Sequence, residues 1–520
     1  MDGVNERFDF TLPVPPVADL GRVHLVAIGG AGMSAVARLL VQAGVPVSGS
    51  DAADGPALEA LRAAGAGPVA VGHHAAHVED ADTLVVSSAV RDDNVEVAAA
   101  RAAGALVLHR AQALAALMAD RRRVAVAGAN GKTTTTAMLV VGLDAAGAEP
   151  SYAAGAEIAQ LGTNAALGRG AAFVVEADES DGSFLAYRPH VAVVTNVQPD
   201  HLDFYGTAEN VVAAYERFAD SVDPEGLLVA CHDDPGSRAL ADRARASGRR
   251  VVTYGFDEGA DLRVTTSEAD GLGSRSTLSR DGRTLSLDLL VPGAHNVLDA
   301  CGALLAAVDG CGADTDAVLA GLAGFTGARR RFEVRGEVGG VTVVDDYAHN
   351  APKVAAVVGT AAAIVRRAGG GALRVVFQPH LYSRTRDFAD AFAVALAPAD
   401  HVVLLDVYGA REAPVDGISS ALVGDPLRAL PGERTVVVGA SAEDAVSQVA
   451  AAARPGDLVL TVGAGDVTRL GPLLLRELAA RSAEHSAEPA GSSRPTDSSD
   501  SSQPSDPTDP TDFTEGGGAR

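Results

Sequence analysis

Only two lysines occur in the 520 residues, and both lie in stretches whose residue types could do chemistry. Lys132 stands in Gly-Ala-Asn-Gly-Lys-Thr, and Lys353 follows Asp-Asp-Tyr-Ala-His. All other Lys/Arg positions are arginine, whose planar guanidinium is not interchangeable with a compact ammonium. We therefore expect the retained lysine in the glycine-containing stretch to contact a phosphate.

The sequence around Lys132 has the pattern of a strand that enters a glycine loop and then a helix. Backbone N–H groups and the helix start can surround phosphate oxygens there, while Lys132 reaches the terminal phosphates and Thr133 ligates magnesium. Val126 occupies the first glycine position of the common pattern, and the alternative is an ordinary strand-to-helix turn. The pattern predicts a nucleoside triphosphate site. Its candidate residues are Gly128, Ala129, Asn130, Gly131, Lys132, Thr133 and Thr134.

A run of carboxylates follows an apolar segment about forty residues later. Glu176 ends this segment and is the first candidate for a magnesium ligand, because the hard cation prefers oxygen. Asp178, Glu179 and Asp181 fit either this site or a solvated acidic loop. The next apolar segment leads to His201, which stands between carboxylates and could bind a second metal or orient an acyl phosphate; a polar loop without function is the alternative.

Near the N-terminus, Gly29-Gly30-Ala31-Gly32-Met33 follows a predicted strand and opens a helix, with Ala27 in the first glycine position and Asp51 ending the next strand. The pattern resembles a dinucleotide fingerprint, so a nicotinamide-dependent dehydrogenase is one alternative. The helix start would equally bind the pyrophosphate of a UDP-sugar. His73, His74 and His77 might suggest zinc, but no nearby cysteine or carboxylate completes a four-ligand set, and we expect an exposed loop there rather than a zinc site.

Short apolar segments alternate with alanine-rich helical stretches, which predicts parallel α/β sheets. The polar motifs follow the apolar segments, where the carboxyl ends of parallel strands collect ligands. The predicted strands are Val23–Ile28, Val124–Ala127, Phe173–Val175, Val191–Val194, Val341–Val344, Arg374–Phe377, Val402–Leu405 and Leu458–Val462. We divide the chain into domains at 1–119, 120–328 and 329–482, followed by a disordered tail at 483–520 rich in Ser, Pro, Thr and Asp.

Composition narrows the class of protein. The net charge of −25 disfavours nucleic acid as a partner. No uncharged apolar segment approaches the roughly 20 residues that span a bilayer, so we expect no membrane insertion. Three cysteines form no paired framework or metal spacing, which is typical of a reducing compartment and predicts a cytoplasmic enzyme.

Taken in order, the motifs resemble those of the Mur ligases over about residues 20 to 480. The resemblance is to the branch that joins L-alanine to UDP-N-acetylmuramate with ATP and Mg²⁺, through an acyl phosphate, in peptidoglycan precursor synthesis. It implies a Rossmann-like N-terminal domain for the UDP-sugar, a central P-loop-type ATPase domain and a Rossmann-like C-terminal domain for the amino acid, in a monomer or weak dimer that serves cell shape and division. The motifs include Gly-Lys-Thr-Thr-Thr-Thr-Ala-Met, Glu-Ala-Asp-Glu-Ser-Asp-Gly-Ser-Phe, Asp-His-Leu-Asp, Arg-Arg-Arg-Phe and Phe-Gln-Pro-His-Leu-Tyr-Ser-Arg-Thr.

The resemblance also implies roles for particular residues. Lys132, Glu176 and His201 would be catalytic, with Thr133, Glu176 and His201 at the metal. Asn296 would face adenine, Arg331 the phosphates and Asp346 the ribose. The UDP-sugar residues would be Gly29, Gly30, Ala31, Gly32, Met33, Asp51 and Ser88. The alanine pocket would comprise Tyr347, His349, His380 and Arg384, with the Arg384 fork matching a carboxylate.

Three departures separate the chain from the common pattern of this branch. Ala129-Asn130 stands in place of Thr-His, Asn350-Ala351-Pro352 in place of a His-Pro pattern, and Leu381 in place of arginine. Family branches that use a carbamylated lysine are disfavoured, because no lysine lies between Lys132 and Lys353. The alternatives are a related ligase that adds a preformed peptide to the same sugar acid, and a catalytically silent UDP-sugar-binding homologue.

Overall fold

Three sheets follow one another along the chain, each built mainly from valine-rich strands that helices cover. The computed structural model describes residues 7–410 and 412–487. The strands at the sheet centres are buried on both faces, which is why they appear in the sequence as continuous apolar segments. The predicted three-domain α/β fold is confirmed. The predicted boundaries near residues 119 and 328 fall between the sheets and stay predictions.

The N-terminal sheet has five parallel strands. They are β1 Val23–Val26, β2 Val47–Asp51, β3 Val69–Val71, β4 Thr83–Val86 and β5 Leu106–His109. The helices are α1 Ala31–Gln42, α2 Pro56–Ala63, α3 Val95–Ala103 and α4 Arg110–Leu117. In the strand order β3-β2-β1-β4-β5, the chain adds β2 and β3 on one side of β1 and then β4 and β5 on the other. Such a switch point creates a ligand crevice at the carboxyl ends of the strands.

The central sheet has ten strands and contains most of the candidate nucleotide residues. The strands are β6 Arg122–Ala127, β7 Ser151–Ile158, β8 Thr163–Ala166, β9 Ala172–Glu176, β10 Val191–Val194, β11 Leu227–Cys231, β12 Val251–Gly255, β13 Leu262–Asp270, β14 Gly273–Arg280 and β15 Arg283–Leu289. The helices are α5 Lys132–Ala145, α6 Leu202–Tyr205, α7 Ala208–Asp220, α8 Pro235–Ala246, α9 Ala294–Leu305 and α10 Thr315–Ala323. The order is β15-β14-β13-β12-β11-β10-β6-β9-β7-β8, so β6 lies between β10 and β9 and the ends of all three strands meet.

The C-terminal sheet has six strands in the order β16-β17-β21-β18-β19-β20, of which β16 alone is antiparallel to its neighbour. The strands are β16 Glu333–Val338, β17 Val341–Asp346, β18 Leu373–Phe377, β19 His401–Leu405, β20 Thr435–Ala440 and β21 Leu458–Val462. The helices are α11 Ala351–Ala368, α12 Tyr382–Asp387, α13 Ala389–Leu396, α14 Ala421–Ala429, α15 Ala442–Ala452 and α16 Leu470–Ala487. Short 3₁₀ helices span Val17–Asp19, Ala75–Val78, Ser183–Ala186 and Asp466–Arg469, and a π-helical segment, Ala306–Gly310, extends α9.

The apolar core is continuous between the first two sheets. One buried cluster includes Leu25 and Met33 of the N-terminal unit together with Phe173 and Phe218 on one face of the central sheet. A second cluster covers the other face of the central sheet, and two more lie on either side of the C-terminal sheet. The N-terminal and central units therefore pack against each other through apolar contacts as well as polar ones.

The tail is the part of the fold where the predicted boundary differs from the structure. Helix α16 continues through Ala487, five residues beyond the predicted end of the C-terminal domain. These residues extend a helix that has already formed, and extension costs less than nucleation. The remaining predicted tail, residues 488–520, lies outside the described residues. Among the described residues, no helix is both long and apolar enough to cross a bilayer.

Ala27 adopts a backbone conformation that glycine would adopt more easily. Its φ is +57°, in the left-handed region where a Cβ costs about 1 kcal/mol. We expect Ala27→Gly to stabilise the protein by up to about 1 kcal/mol, measured as a rise in the midpoint of urea unfolding. Ala43→Gly is the matched control because Ala43 is exposed with φ −76°, and it should lower the midpoint. A lower midpoint for Ala27→Gly would contradict the strain argument.

Candidate active site

The loop between β6 and α5 has a conformation suited to phosphate. Gly128 and Gly131 have φ values of +140° and +84°, which side chains rarely adopt. A Cβ on Gly128 would lie 1.9 Å from Thr195 Oγ1, so the loop passes too close to the end of β10 for any other residue. Asn196 fixes the loop, because its Nδ2 donates to Asn130 O (3.0 Å) and its Oδ1 accepts from Asn130 N (2.9 Å). The start of α5, with its N–H groups, opens beyond this fixed loop.

The Lys132 ammonium is held at the base of the loop by oxygen atoms on two sides. Its Nζ donates to Gly128 O at 2.6 Å and to the two carboxylate oxygens of Glu179 at 3.0 and 2.7 Å. The Lys132 side chain is 14% exposed and that of Glu179 is 2% exposed. Burial alone would lower the pKa of Lys132, but the carboxylates of Glu179 and Asp178 outweigh it and raise this pKa. Lys132 therefore stays charged although little of its side chain is exposed to solvent.

Glu176 and Thr133 place side-chain oxygens that could bind a metal at the point where β9 ends and α5 begins. Thr133 Oγ1 donates to one Glu176 oxygen at 3.0 Å, and Gly155 N donates to the other at 2.7 Å. These oxygen ligands fit magnesium. His201 lies on the other side of the acidic loop, with Nε2 3.7 Å from a Glu179 oxygen. Thr133 and Glu176 therefore lie together, whereas His201 approaches the acidic loop at Glu179 and not at Glu176. The described residues include no cluster of three or more His, Cys, Asp or Glu side chains arranged to hold a metal by themselves.

The remaining carboxylates of the acidic loop reach into the N-terminal unit. Asp178 accepts from Arg110 Nη2 at 3.1 Å. Asp181 accepts a hydrogen bond from Ser88 Oγ and lies 3.4 Å from His109 Nε2. These contacts hold the pKa of Asp181 well below its usual range despite burial. The alternative of a solvated acidic loop is wrong, because Asp181 is buried and Asp178 is paired with a cation. Instead the loop joins the predicted nucleotide site to the N-terminal unit.

Arg110 is a candidate site residue that the sequence analysis missed. Its guanidinium lies beside the N-terminal glycine loop, since a Cβ on Gly32 would be 3.3 Å from Arg110 Nη1. Asp51 at the end of β2 accepts from Gly29 N at 2.8 Å and so fixes the same loop. Arg110 directly follows β5, and the rule that ligand-binding groups follow strand ends could have found it. The predicted UDP-sugar residues Gly29, Gly30, Ala31, Gly32 and Met33 lie along this loop and the first turn of α1.

A cavity of about 350 Å³ extends from the phosphate loop to the C-terminal unit. Its walls come from the glycine loop and α9 on one side and from β17 and α11 on the other. The predicted nucleotide residues that line it are Ala129, Asn130, Gly131, Lys132, Thr133, Thr134, Asn296, Arg331 and Asp346, together with Glu176. Tyr347 and His349 of the predicted alanine pocket also line it, whereas Gly128, His201, His380 and Arg384 lie outside its lining. The cavity brings predicted nucleotide and amino-acid residues to a common space.

The four predicted alanine-pocket residues lie together in the C-terminal unit. Arg384 Nη1 is 3.4 Å from His380 Nδ1 and 3.5 Å from His349 O. The His349 ring packs edge-on against the rings of His380 and Tyr347, with centroids 5.7 and 5.1 Å apart. Burial lowers the pKa of His349 to about 3, so this imidazole is neutral. Leu381, which stands where arginine is common, has φ +69° and precedes α12.

The prediction of an exposed loop at His73, His74 and His77 is confirmed only for His74, which is exposed. The half-buried rings of His73 and His77 instead contact the buried carboxylate of Glu96, which comes from α3. His77 Nδ1 lies 2.7 Å and His73 Nδ1 3.1 Å from its oxygens, and His74 N donates to it at 3.2 Å. Burial would raise the pKa of Glu96, but hydrogen bonds from His24, Ser50, His77 and the backbone of His74 lower it to about 2. Sequence could not show this because Glu96 is about twenty residues away on another element.

Three domain families match consecutive parts of the chain. The Mur ligase family catalytic domain matches residues 22–122, the Mur ligase middle domain residues 126–307, and the Mur ligase glutamate ligase domain residues 330–465. A UDP-N-acetylmuramate–L-alanine ligase from Kineococcus radiotolerans is 55% identical over 471 residues, which cover 90% of this chain and 98% of the relative. The chain belongs to the Mur ligase family. A second such relative, from Paenarthrobacter aurescens, is 50% identical over 469 residues, with 90% and 99% covered.

Solved Mur ligase structures have the same architecture. The UDP-N-acetylmuramate–alanine ligase of Thermotoga maritima superimposes with a TM-score of 0.73 at 29% identity and covers 88% of this chain and 99% of its own. A murein peptide ligase from Psychrobacter arcticus gives a TM-score of 0.62 at 24% identity, with 88% and 99% covered, and at that identity shows the fold alone. The family membership predicted from the ordered motifs is confirmed, which removes the dehydrogenase alternative.

In this Mur ligase, Asp299 lies directly beneath the phosphate loop. Thr135 Oγ1 donates to its Oδ1 at 2.9 Å, and a Cβ on Gly131 would lie 2.5 Å from the same oxygen. Burial raises the pKa of Asp299 to about 7, with the Thr135 hydrogen bond opposing it. The folded chain therefore keeps a proton that the unfolded chain releases near pH 4. Stability from this group is present below about pH 4 and is lost as the pH rises to about 7.

We expect Asp299→Asn to remove this dependence, because the amide is neutral at every pH and still offers an oxygen to Thr135. The melting temperature of the variant relative to the native protein should rise between about pH 5 and about pH 8. Asp316→Asn, on the exposed start of α10, is the control and should show no such trend. A difference between Asp299→Asn and the native protein that is the same at both pH values would contradict the raised pKa.

Proposed function

We propose that the chain is an ATP-dependent ligase that joins L-alanine to the carboxylate of UDP-N-acetylmuramate in the cytoplasm, for peptidoglycan precursor synthesis. The observation that carries the proposal is the largely buried Lys132 ammonium at the start of α5, facing a cavity that the C-terminal unit lines from the other side. The relatives at 55% and 50% identity bear this name, and the chain spans almost their whole length. ATP and Mg²⁺ are the proposed cofactors, and a monomer or weak dimer stays a prediction.

The first step transfers the γ-phosphoryl group of ATP to the sugar-acid carboxylate. A carboxylate oxygen forms a bond to phosphorus as the bond to the bridging oxygen of ADP breaks, which gives an acyl phosphate and ADP. Lys132 and Arg331 supply positive charge to the phosphate oxygens, and the N–H groups at the start of α5 add to it. Thr133 and Glu176 would hold Mg²⁺, which neutralises phosphate charge when bound.

The second step forms the amide bond. The amine of alanine attacks the acyl carbonyl, inorganic phosphate leaves with the electron pair of the broken C–O bond, and the proton lost from the nitrogen balances the charge of the departing phosphate. Arg384 is the proposed partner of the alanine carboxylate, and Tyr347, His349 and His380 would enclose the side chain. Closure of the cavity between the central and C-terminal units would exclude water from the acyl phosphate, which water would otherwise hydrolyse.

The acidic loop connects this chemistry to the UDP-sugar. Arg110 lies between the N-terminal glycine loop and Asp178, while Glu179, the next residue, holds Lys132. We propose that Arg110 joins the predicted UDP-sugar residues as a partner of the pyrophosphate. Ser88 would act indirectly, because its hydrogen bond to Asp181 holds the N-terminal and central units in a fixed relative position.

The test is release of phosphate from ATP in the presence of UDP-N-acetylmuramate, L-alanine and Mg²⁺. The native protein should release phosphate only when all are present, and Lys132→Ala should reduce kcat by at least about 100-fold, because it removes a charge that stabilises the transition state. Arg366→Ala removes an exposed charge from the far end of α11 and should leave the rate unchanged. No phosphate release by the native protein would overturn the proposal and favour the catalytically silent homologue.

The same assay separates the ligase branches. We expect L-alanine to support a higher kcat/KM than a preformed tripeptide. Glycine should be accepted less well than alanine by about 10-fold or more, because one methyl group in an apolar pocket is worth about 1–3 kcal/mol. A higher rate with the tripeptide would favour the peptide-adding ligase instead.

A further inference from the structure

Lys353 is the second of the two lysines, and it has no role in the two proposed reaction steps. It lies in the first turn of α11, two residues after the helix begins. Its backbone N–H donates to the side chain of Asn350, which caps the helix, at 3.0 Å. The helix start is therefore fixed, and with it the direction from which the Lys353 side chain leaves the C-terminal unit.

The Lys353 side chain lines the same cavity as Lys132, Thr133 and Arg331. Charged groups of two units face it: Lys132, Glu179 and Asp200 from the central unit, and Arg331 from the segment leading into the C-terminal unit. Burial and then the charge of Lys132 lower the pKa of Lys353. Two lysines and an arginine thus meet around one space from opposite sides.

Asp200 and Glu179 offset only part of the repulsion among these cations. The positive end of a helix dipole destabilises a cation in the first turn, and the other two cations repel it further. Lys132 has Glu179 as a partner, and Arg331 donates to Thr133 Oγ1 at 3.3 Å and stacks over Tyr347. Within the described part of the chain, the Lys353 ammonium has no hydrogen bond or ion pair. A group with several negative charges in the cavity would relieve all of these repulsions.

We propose that Lys353 binds the γ-phosphate of ATP and later the phosphate of the acyl intermediate, as a cation that the C-terminal unit supplies to the nucleotide bound on the central unit. This inference rests on the proposed function. Because Glu179 already balances the charge of Lys132, the Lys353 ammonium supplies the positive charge that neutralises the added γ-phosphate. It is in place only when the two units face each other, so phosphoryl transfer depends on their approach.

The test compares two nucleotides that differ in the γ-phosphate. Calorimetry with Mg²⁺ measures the affinities of ADP and of the non-hydrolysable β,γ-imido analogue of ATP for the native protein, Lys353→Met and Lys353→Arg. Lys353→Met should weaken the analogue by about 10-fold to 100-fold, as expected for a hydrogen bond to a charged group, and change ADP by less than about 2-fold. Lys353→Arg should recover part of the loss, because it restores charge with a different shape.

Arg366→Met is the matched control on the same helix, since it removes one exposed positive charge far from the cavity and should change neither affinity. If the native protein binds both nucleotides, two results would overturn the role of Lys353 and leave the proposed function standing. In one, Lys353→Met binds both nucleotides as tightly as the native protein does. In the other, it loses affinity for both to the same extent. Native protein that binds neither nucleotide overturns both.

Discussion

The ion pair between Lys132 and Glu179 is the interaction on which the rest of the site depends. A lysine that is 14% exposed stays charged only if carboxylates outweigh the cost of burial, and Glu179 with Asp178 does this. The same short loop carries Glu176 towards Thr133 and Asp181 towards the N-terminal unit. One segment at the end of β9 therefore holds Lys132, contributes a proposed metal ligand and contacts the N-terminal unit.

This loop physically connects the proposed binding sites of the enzyme. The N-terminal glycine loop, Arg110, Asp178, Glu179 and Lys132 form a chain of contacts from the proposed UDP-sugar site to the proposed phosphate site. The cavity beyond Lys132 is completed by residues of the C-terminal unit, including Arg331 and Lys353. Each of the three units thus contributes charged residues to the proposed reaction.

The sequence predicted the central features because they depend on local pattern. Valine-rich segments are buried on both faces, and the motifs follow them because parallel strands gather ligands at one edge. The antiparallel strands β13 to β15 were missed, since Leu262–Asp270 has few apolar residues and faces solvent over most of its length. The partner of the histidines, Glu96, and the cation Arg110 were missed because only folding brings them near their neighbours.

The proposed chemistry requires the Lys132 ammonium to donate a hydrogen bond to the transferable phosphate of ATP. A crystal structure of the full chain with Mg²⁺ and the β,γ-imido analogue of ATP tests this most directly. We predict the triphosphate along the glycine loop, with Lys132 Nζ within hydrogen-bond distance of a γ-phosphate oxygen and with the glycine loop unmoved. A nucleotide bound away from residues 128–133, or a Lys132 side chain that does not contact phosphate, would contradict the account.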